Sequence, residues 1–140
     1  MKIVVDTNII FSGLMREDNH FANTIIKNEA NHTFYVVYFT IVELFKHKER
    51  IVKFSKLSEN EILEALYELL KHITIINDDI ISVPSWKQSM QLVHDVDIKD
   101  VPNVALTIEL EGKLWTGDIE LKLGLRAKGF DNFFELSNKI

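Results

Sequence analysis

Lys2-Ile3-Val4-Val5-Asp6-Thr7-Asn8 opens with an apolar run that ends on an acid. A short unbroken apolar run of this kind reads as a strand buried on both faces, here over residues 2–6. The segment Lys113-Leu114-Trp115-Thr116-Gly117-Asp118 repeats the pattern, with a strand over 113–116 that delivers Asp118 just past its end. Between the two lie further apolar stretches, Phe34 to Phe39 and Ile73 to Ile76, both expected to be strands. Helical patterns separate them. Phe21, Ala22, Ile25 and Ile26 mark one face. Thr40 is expected to start a helix carrying Ile41, Leu44, Phe45 and Val52. Ser58 and Glu61 form a capping box ahead of Ile62, Leu63, Leu66, Leu69 and Leu70. Pro84 to Val93 and Pro102 to Glu111 read as helices, the second stopped by Gly112, and a short helix runs from Asp118 up to Gly129. Strands alternating with helices imply an α/β fold, a mostly parallel sheet covered on both faces.

A chain of 140 residues accommodates a single domain over 1–140, large enough to bury a core without staples. It has no cysteine, which excludes disulfide frameworks and thiolate zinc sites and agrees with a reducing cytoplasm. The apolar amino terminus is interrupted by Asp6 and Asn8, so neither a signal peptide nor a membrane anchor is expected there. The net charge of −5 argues against nonspecific binding to duplex nucleic acid. It does not argue against a nuclease, because carboxylates gathered around divalent cations register as excess negative charge when the metal is not counted.

The acids fall where ligands bind in open α/β sheets, at the carboxyl ends of strands. Asp6 and Asp118 occupy that edge, although either could simply cap the helix that follows. Thr40-x-x-Glu43 has the form of a capping box, which would assign Glu43 to the Thr40 backbone. Apolar flanks nevertheless place it against a wall near a strand end. Asp95, Asp97 and Asp100 crowd one loop, with Asp100 the expected N-cap of the Pro102 helix. Metal-assisted phosphodiester hydrolysis would unite these acids. Mg²⁺ and Mn²⁺ choose hard oxygen ligands, and uncompensated carboxylates in one site would repel one another or take up protons.

Taken in order, the amino-terminal VDTNII, Thr40-Ile-Val-Glu43, Asp100 followed by Val104-Ala105-Leu106, and Leu114-Trp-Thr-Gly-Asp118 resemble the PIN-domain ribonucleases. That family includes toxins of bacterial and archaeal toxin–antitoxin pairs of the virulence-associated protein C type. The resemblance runs from residue 3 to about residue 130, and the four blocks together are far more specific than any one. It implies a three-layer α/β/α sandwich, cleavage of single-stranded RNA, and dependence on Mg²⁺ or Mn²⁺. It also implies Asp6, Glu43, Asp100 and Asp118 as the acidic quartet. Thr7, Asn8 and Thr116 would be polar neighbours, Thr116 orienting a carboxylate, while Asp97 competes with Asp100 for the third place. A homodimer and a small antitoxin are the implied partners. Many members carry Asp two positions after the last core acid, where this chain has Glu120, which leaves one or two metal ions open. VVDTN is also similar to the start of haloacid dehalogenase-type phosphatases, but those need a second Asp where Asn8 stands. His94, Lys99, Lys46, Lys48 and Arg50 are candidate phosphate contacts, though surface lysines are usually just solvated. Trp86 and Trp115 could stack on bases, but their patterns favour core packing.

Overall fold

The computed structural model describes residues 1–15 and 20–136. Its four strands are β1 (Lys2–Val5), β2 (Thr33–Val37), β3 (Ile73–Ile76) and β4 (Lys113–Trp115), all parallel in the order β3-β2-β1-β4. The helices are α1 (Thr7–Met15), α2 (His20–Asn28), α3 (Tyr38–Lys46), α4 (Lys48–Ser55), α5 (Glu59–Leu70), α6 (Val83–Val93), α7 (Val101–Leu110) and α8 (Ile119–Ala127).

Alternation along β1 produces the three layers. Ile3 and Val5 point into one core, with Ile10 and Leu14 of α1, Phe21 and Ile25 of α2, Leu44 of α3, Ile51 of α4, and Ile62 and Leu69 of α5. Val4 points the other way, into a second core with Val93 of α6, Val104 and Leu106 of α7, and Leu121 and Leu125 of α8. Burying each such side chain contributes roughly 1.5–3 kcal/mol, so neither face of the central strand could be left wet. Trp115 packs in the first core against Phe21, Phe34 and Phe134, as its position in a strand suggested. Among the described residues no helix is long and apolar enough to cross a membrane.

Three local expectations are corrected. The strand expected over Phe34 to Phe39 ends at Val37, and α3 begins at Tyr38 rather than Thr40. Its first turn is served from outside: Asp78, in the 3-10 turn after β3, accepts the Tyr38 N–H at 2.9 Å. Thr40 therefore lies inside the helix, fully buried, and no capping box with Glu43 exists. The single helix expected from Thr40 through Val52 is two, α3 and α4, meeting at His47. Gly112 does not supply the left-handed stop of α7; Glu111 does, at φ 52°. The glycine is needed for close approach, since a Cβ there would lie 2.4 Å from the Lys2 carbonyl oxygen. By contrast, the Ser58–Glu61 capping box is present in both directions, and Pro84 sits in the first turn of α6.

Candidate active site

Because every strand is parallel, all four carboxyl ends lie on one edge. The sheet grows from β1 through β2 to β3, and β4 then joins on the other side of β1. A crevice opens where such an order reverses, here between the ends of β1 and β4. Asp6 follows the first strand and Asp118 the second, and the register holds them together: Val5 pairs with Trp115, and the Asp6 N–H donates to the Trp115 carbonyl at 2.9 Å.

Asp6 is only 3% exposed. Its two oxygens are held from opposite sides. The Thr116 hydroxyl donates to Oδ2 at 2.7 Å, and the Asn103 amide donates to Oδ1 at 3.3 Å. Asn103 is held in turn by the Thr40 hydroxyl, which donates to its Oδ1 at 3.4 Å. Side chains from α3, α7 and the end of β4 thus fix one carboxylate. Burial raises the Asp6 pKa; the hydrogen bonds from Thr116 and the Asn8 backbone oppose it, and the charges of Glu43 and Asp118 reinforce it.

Glu43, in the second turn of α3, accepts the Thr7 hydroxyl at 2.8 Å. Its carboxylate is therefore turned towards the start of α1 rather than spent on its own helix. Asp118 Oδ1 caps α8 by accepting the Leu121 N–H at 3.1 Å, and the side chain lines the cleft. Its own N–H donates to the Thr116 hydroxyl at 3.1 Å, so one threonine positions both acids. Asp100 stands at the N-cap of α7 but makes no capping bond. Its carboxyl is buried, and Oδ2 has no hydrogen-bond partner. Burial, and then the charges of Asp6, Asp97, Asp118 and Glu43, push its pKa up to about 7. Asp97 is exposed, accepts the Lys99 N–H at 3.0 Å, and sits at the rim.

Asp6, Glu43, Asp97, Asp100 and Asp118 line one polar cleft of about 200 Å³ with Thr7 and Asn8. At ~30 Å³ per water this holds roughly six or seven waters, enough for a hydrated cation and part of a phosphate. An unpartnered buried carboxylate oxygen among other acids calls for a proton or a cation, and an all-oxygen donor set suits Mg²⁺ or Mn²⁺. Among the described residues no three Asp, Glu or His side chains already stand in a cation-holding arrangement. Glu120 is exposed on α8 and is not part of the lining.

Three contributors escaped the sequence reading. Asn103 stands three residues after Asp100, the one amide in the apolar first half of α7, and that placement was its signal. Thr40 was read as a cap and is instead the support of Asn103. His47 lines the cleft beside Lys99, one turn beyond Glu43 at the α3–α4 junction, with nothing in the local sequence to single it out. Of the other cations considered, Lys48 is committed to Glu59 at 2.8 Å, and the His94 ring lies against the Met90 carbonyl.

Comparison with solved structures supports the fold. VapBC2 from Rickettsia felis, bound to a DNA fragment from their promoter, superposes with a TM-score of 0.70 at 15% identity, covering 88% of this chain and 92% of that one. VapBC-1 from nontypeable Haemophilus influenzae superposes with a TM-score of 0.63 at 14% identity, covering 91% and 94%. No curated protein matches the sequence significantly. The PIN domain family model, however, matches residues 4–135, an interval containing every acid of the cleft; the chain belongs to the PIN-domain family.

Proposed function

We propose that the protein is a metal-dependent endoribonuclease that hydrolyses phosphodiester bonds of single-stranded RNA. The observation that carries this reading is the cleft itself: five carboxylates from distant parts of the chain, one of them raised to about 7 with an orphaned oxygen, facing the switch point of the sheet. Asp6, Glu43, Asp100 and Asp118, with Asp97 at the rim, are the residues that would hold Mg²⁺ or Mn²⁺. A divalent cation bound there supplies Lewis-acid activation of water and of the phosphodiester.

The chain's own residues provide the rest. Thr116 and Asn103 hold Asp6 in one orientation, and Thr7 does the same for Glu43, so these two carboxylates have fixed orientations in the cleft. Asp100, its carboxyl raised to about 7 by burial and the neighbouring acids, would be one of the groups that hold the cation, and its proton would leave as the cation's charge compensates it. Lys99 at the cleft offsets part of the negative field that an incoming phosphate meets. The test is cleavage of an unstructured RNA with Mn²⁺, comparing wild type with Asp6→Asn and Asp118→Asn. Activity in the wild type and its loss in both variants is expected. An inactive wild type, or variants that cleave equally well, would remove the proposal.

The two solved structures compared above are VapBC proteins, and one of them is bound to promoter DNA. On that basis we propose for the chain the toxin role of a toxin–antitoxin pair, with a small antitoxin as partner; a homodimer acting in the cytoplasm follows from the family resemblance and not from these two structures. A neighbouring short reading frame encoding a DNA-binding protein is the expected genomic context. A second reading, a non-catalytic module acting through protein partners, draws on Glu120. It lies outside the cleft, where many members carry a further Asp. Under that reading Mn²⁺ would leave thermal stability unchanged.

A further inference from the structure

A cleft walled by carboxylates in a chain of net charge −5 presents a polyanion with an unfavourable field at the point of reaction. Residues 46–56 invert that balance. They carry five Lys or Arg against the single acid Glu49, a local net of +4. Ile51 and Ser55 face inward and anchor α4 on the core. Lys46, Arg50 and Lys53 remain exposed, and so do the aromatic side chains Phe45 and Phe54, at 58% and 60%.

This surface is physically continuous with the cleft. His47 lines the cleft and stands edge-on to the Phe11 ring, with centroids 6.2 Å apart. The Arg50 guanidinium lies over the same ring at 5.6 Å. One turn further along α4, the Lys53 ammonium lies 5.4 Å from the centre of the Phe54 ring. Phe11 is half-buried and holds His47 and Arg50 in place, while Phe45 and Phe54 are open to solvent; cations beside exposed rings are what a single strand needs from a sequence-tolerant surface, the cations following the phosphates and the rings taking unpaired bases.

We propose that the surface running from half-buried His47, at the α3–α4 junction, along the exposed side chains Arg50, Lys53 and Phe54 of α4 is the track along which single-stranded RNA is held as it leaves the acid cleft. The inference rests on the ribonuclease reading for the identity of the polyanion. Charge complementarity selects the occupant: the segment is basic within an acidic protein, and it adjoins the site where a phosphodiester would be positioned.

The test uses Arg50→Gln/Lys53→Gln, which keeps much of each aliphatic stem while removing both charges. The control is Lys27→Gln/Lys87→Gln, which removes the same charge from α2 and α6. Binding of a fluorescent 12-nucleotide single-stranded RNA is followed by anisotropy across a salt series with Mg²⁺, all in an Asp6→Asn background that blocks turnover. The track variant should bind about tenfold more weakly at 0.1 M salt, and its slope of log affinity against log salt should fall by about 1.4, at 0.7 per phosphate contact. The control should change little. Equal behaviour of the two double variants overturns the track, and so does an RNA that fails to bind at all, which would leave α4 as a face for a protein partner. Cleavage is scored separately in the wild-type background. A protein that cleaves RNA while track and control variants bind alike loses the track and keeps the nuclease. One that binds through the track without cleaving loses the nuclease and keeps the track.

Discussion

Replacing Asp100 by Asn preserves the side chain's shape and removes its capacity for charge. In the folded protein the carboxyl is raised from the ordinary 3.8 to about 7, by burial first and then by the surrounding acids. The folded state thus holds this proton more tightly than the unfolded chain. The contribution is fully present below pH 3.8 and is lost as pH rises through 7. A shift of about three units corresponds to about 4 kcal/mol, or about 2 kcal/mol once the solvent that reaches the cleft is counted. Between pH 5 and pH 8 the loss is about 1 kcal/mol with that discount and about 3 kcal/mol without it. For 140 residues, each kcal/mol moves Tm by about 3 °C. Asn carries no such loss. Thermal melts followed by circular dichroism in chelator should therefore show Asp100→Asn gaining on wild type by about 3–9 °C between pH 5 and pH 8. A difference in Tm that stays constant over that range, or that narrows, refutes the assignment of Asp100 as a buried acid under electrostatic pressure.

Thr116→Val removes the hydroxyl that donates to Asp6 and accepts from Asp118. Mn²⁺ affinity and RNA cleavage should each fall by about 10–100-fold, and Thr116→Ser should restore most of both. A Thr116→Val protein with wild-type metal affinity would show that the threonine only packs. Gly112→Ala forces a methyl against the Lys2 carbonyl at the β1–β4 seam. Denaturant unfolding should register a loss of about 1–3 kcal/mol, whereas a neutral result would mean that the seam yields without cost.

The fold was largely legible because its signals are local. Apolar runs such as Ile3-Val4-Val5 and Leu114-Trp115 have the length and continuity of doubly buried strands, and Ser58 with Glu61 announces a helix within four residues. What failed was also local, and it failed for a tertiary reason. Thr40 has the sequence of a cap, but Asp78, 40 positions after Tyr38 and bonded to its N–H only in the folded chain, serves the first turn of α3. That shifted the helix start by two residues and left Glu43 free to meet Thr7. The acids themselves could be named from their places at strand ends and from the family resemblance. Their supports could not, since Asn103 gains its meaning only when α7 crosses behind β1 and brings an amide to Asp6 across 97 positions. His47 and the basic helix after it needed the packing of Phe11 before they could be tied to the cleft.

Calorimetric titration of Mn²⁺ into the metal-free protein at pH 8 addresses the shared cation most directly. Wild type should bind saturably, and Asp6→Asn and Asp118→Asn should each weaken that binding by roughly tenfold or more. A wild type that takes up no Mn²⁺, or variants that take it up equally well, would contradict the claim that these carboxylates act on one ion.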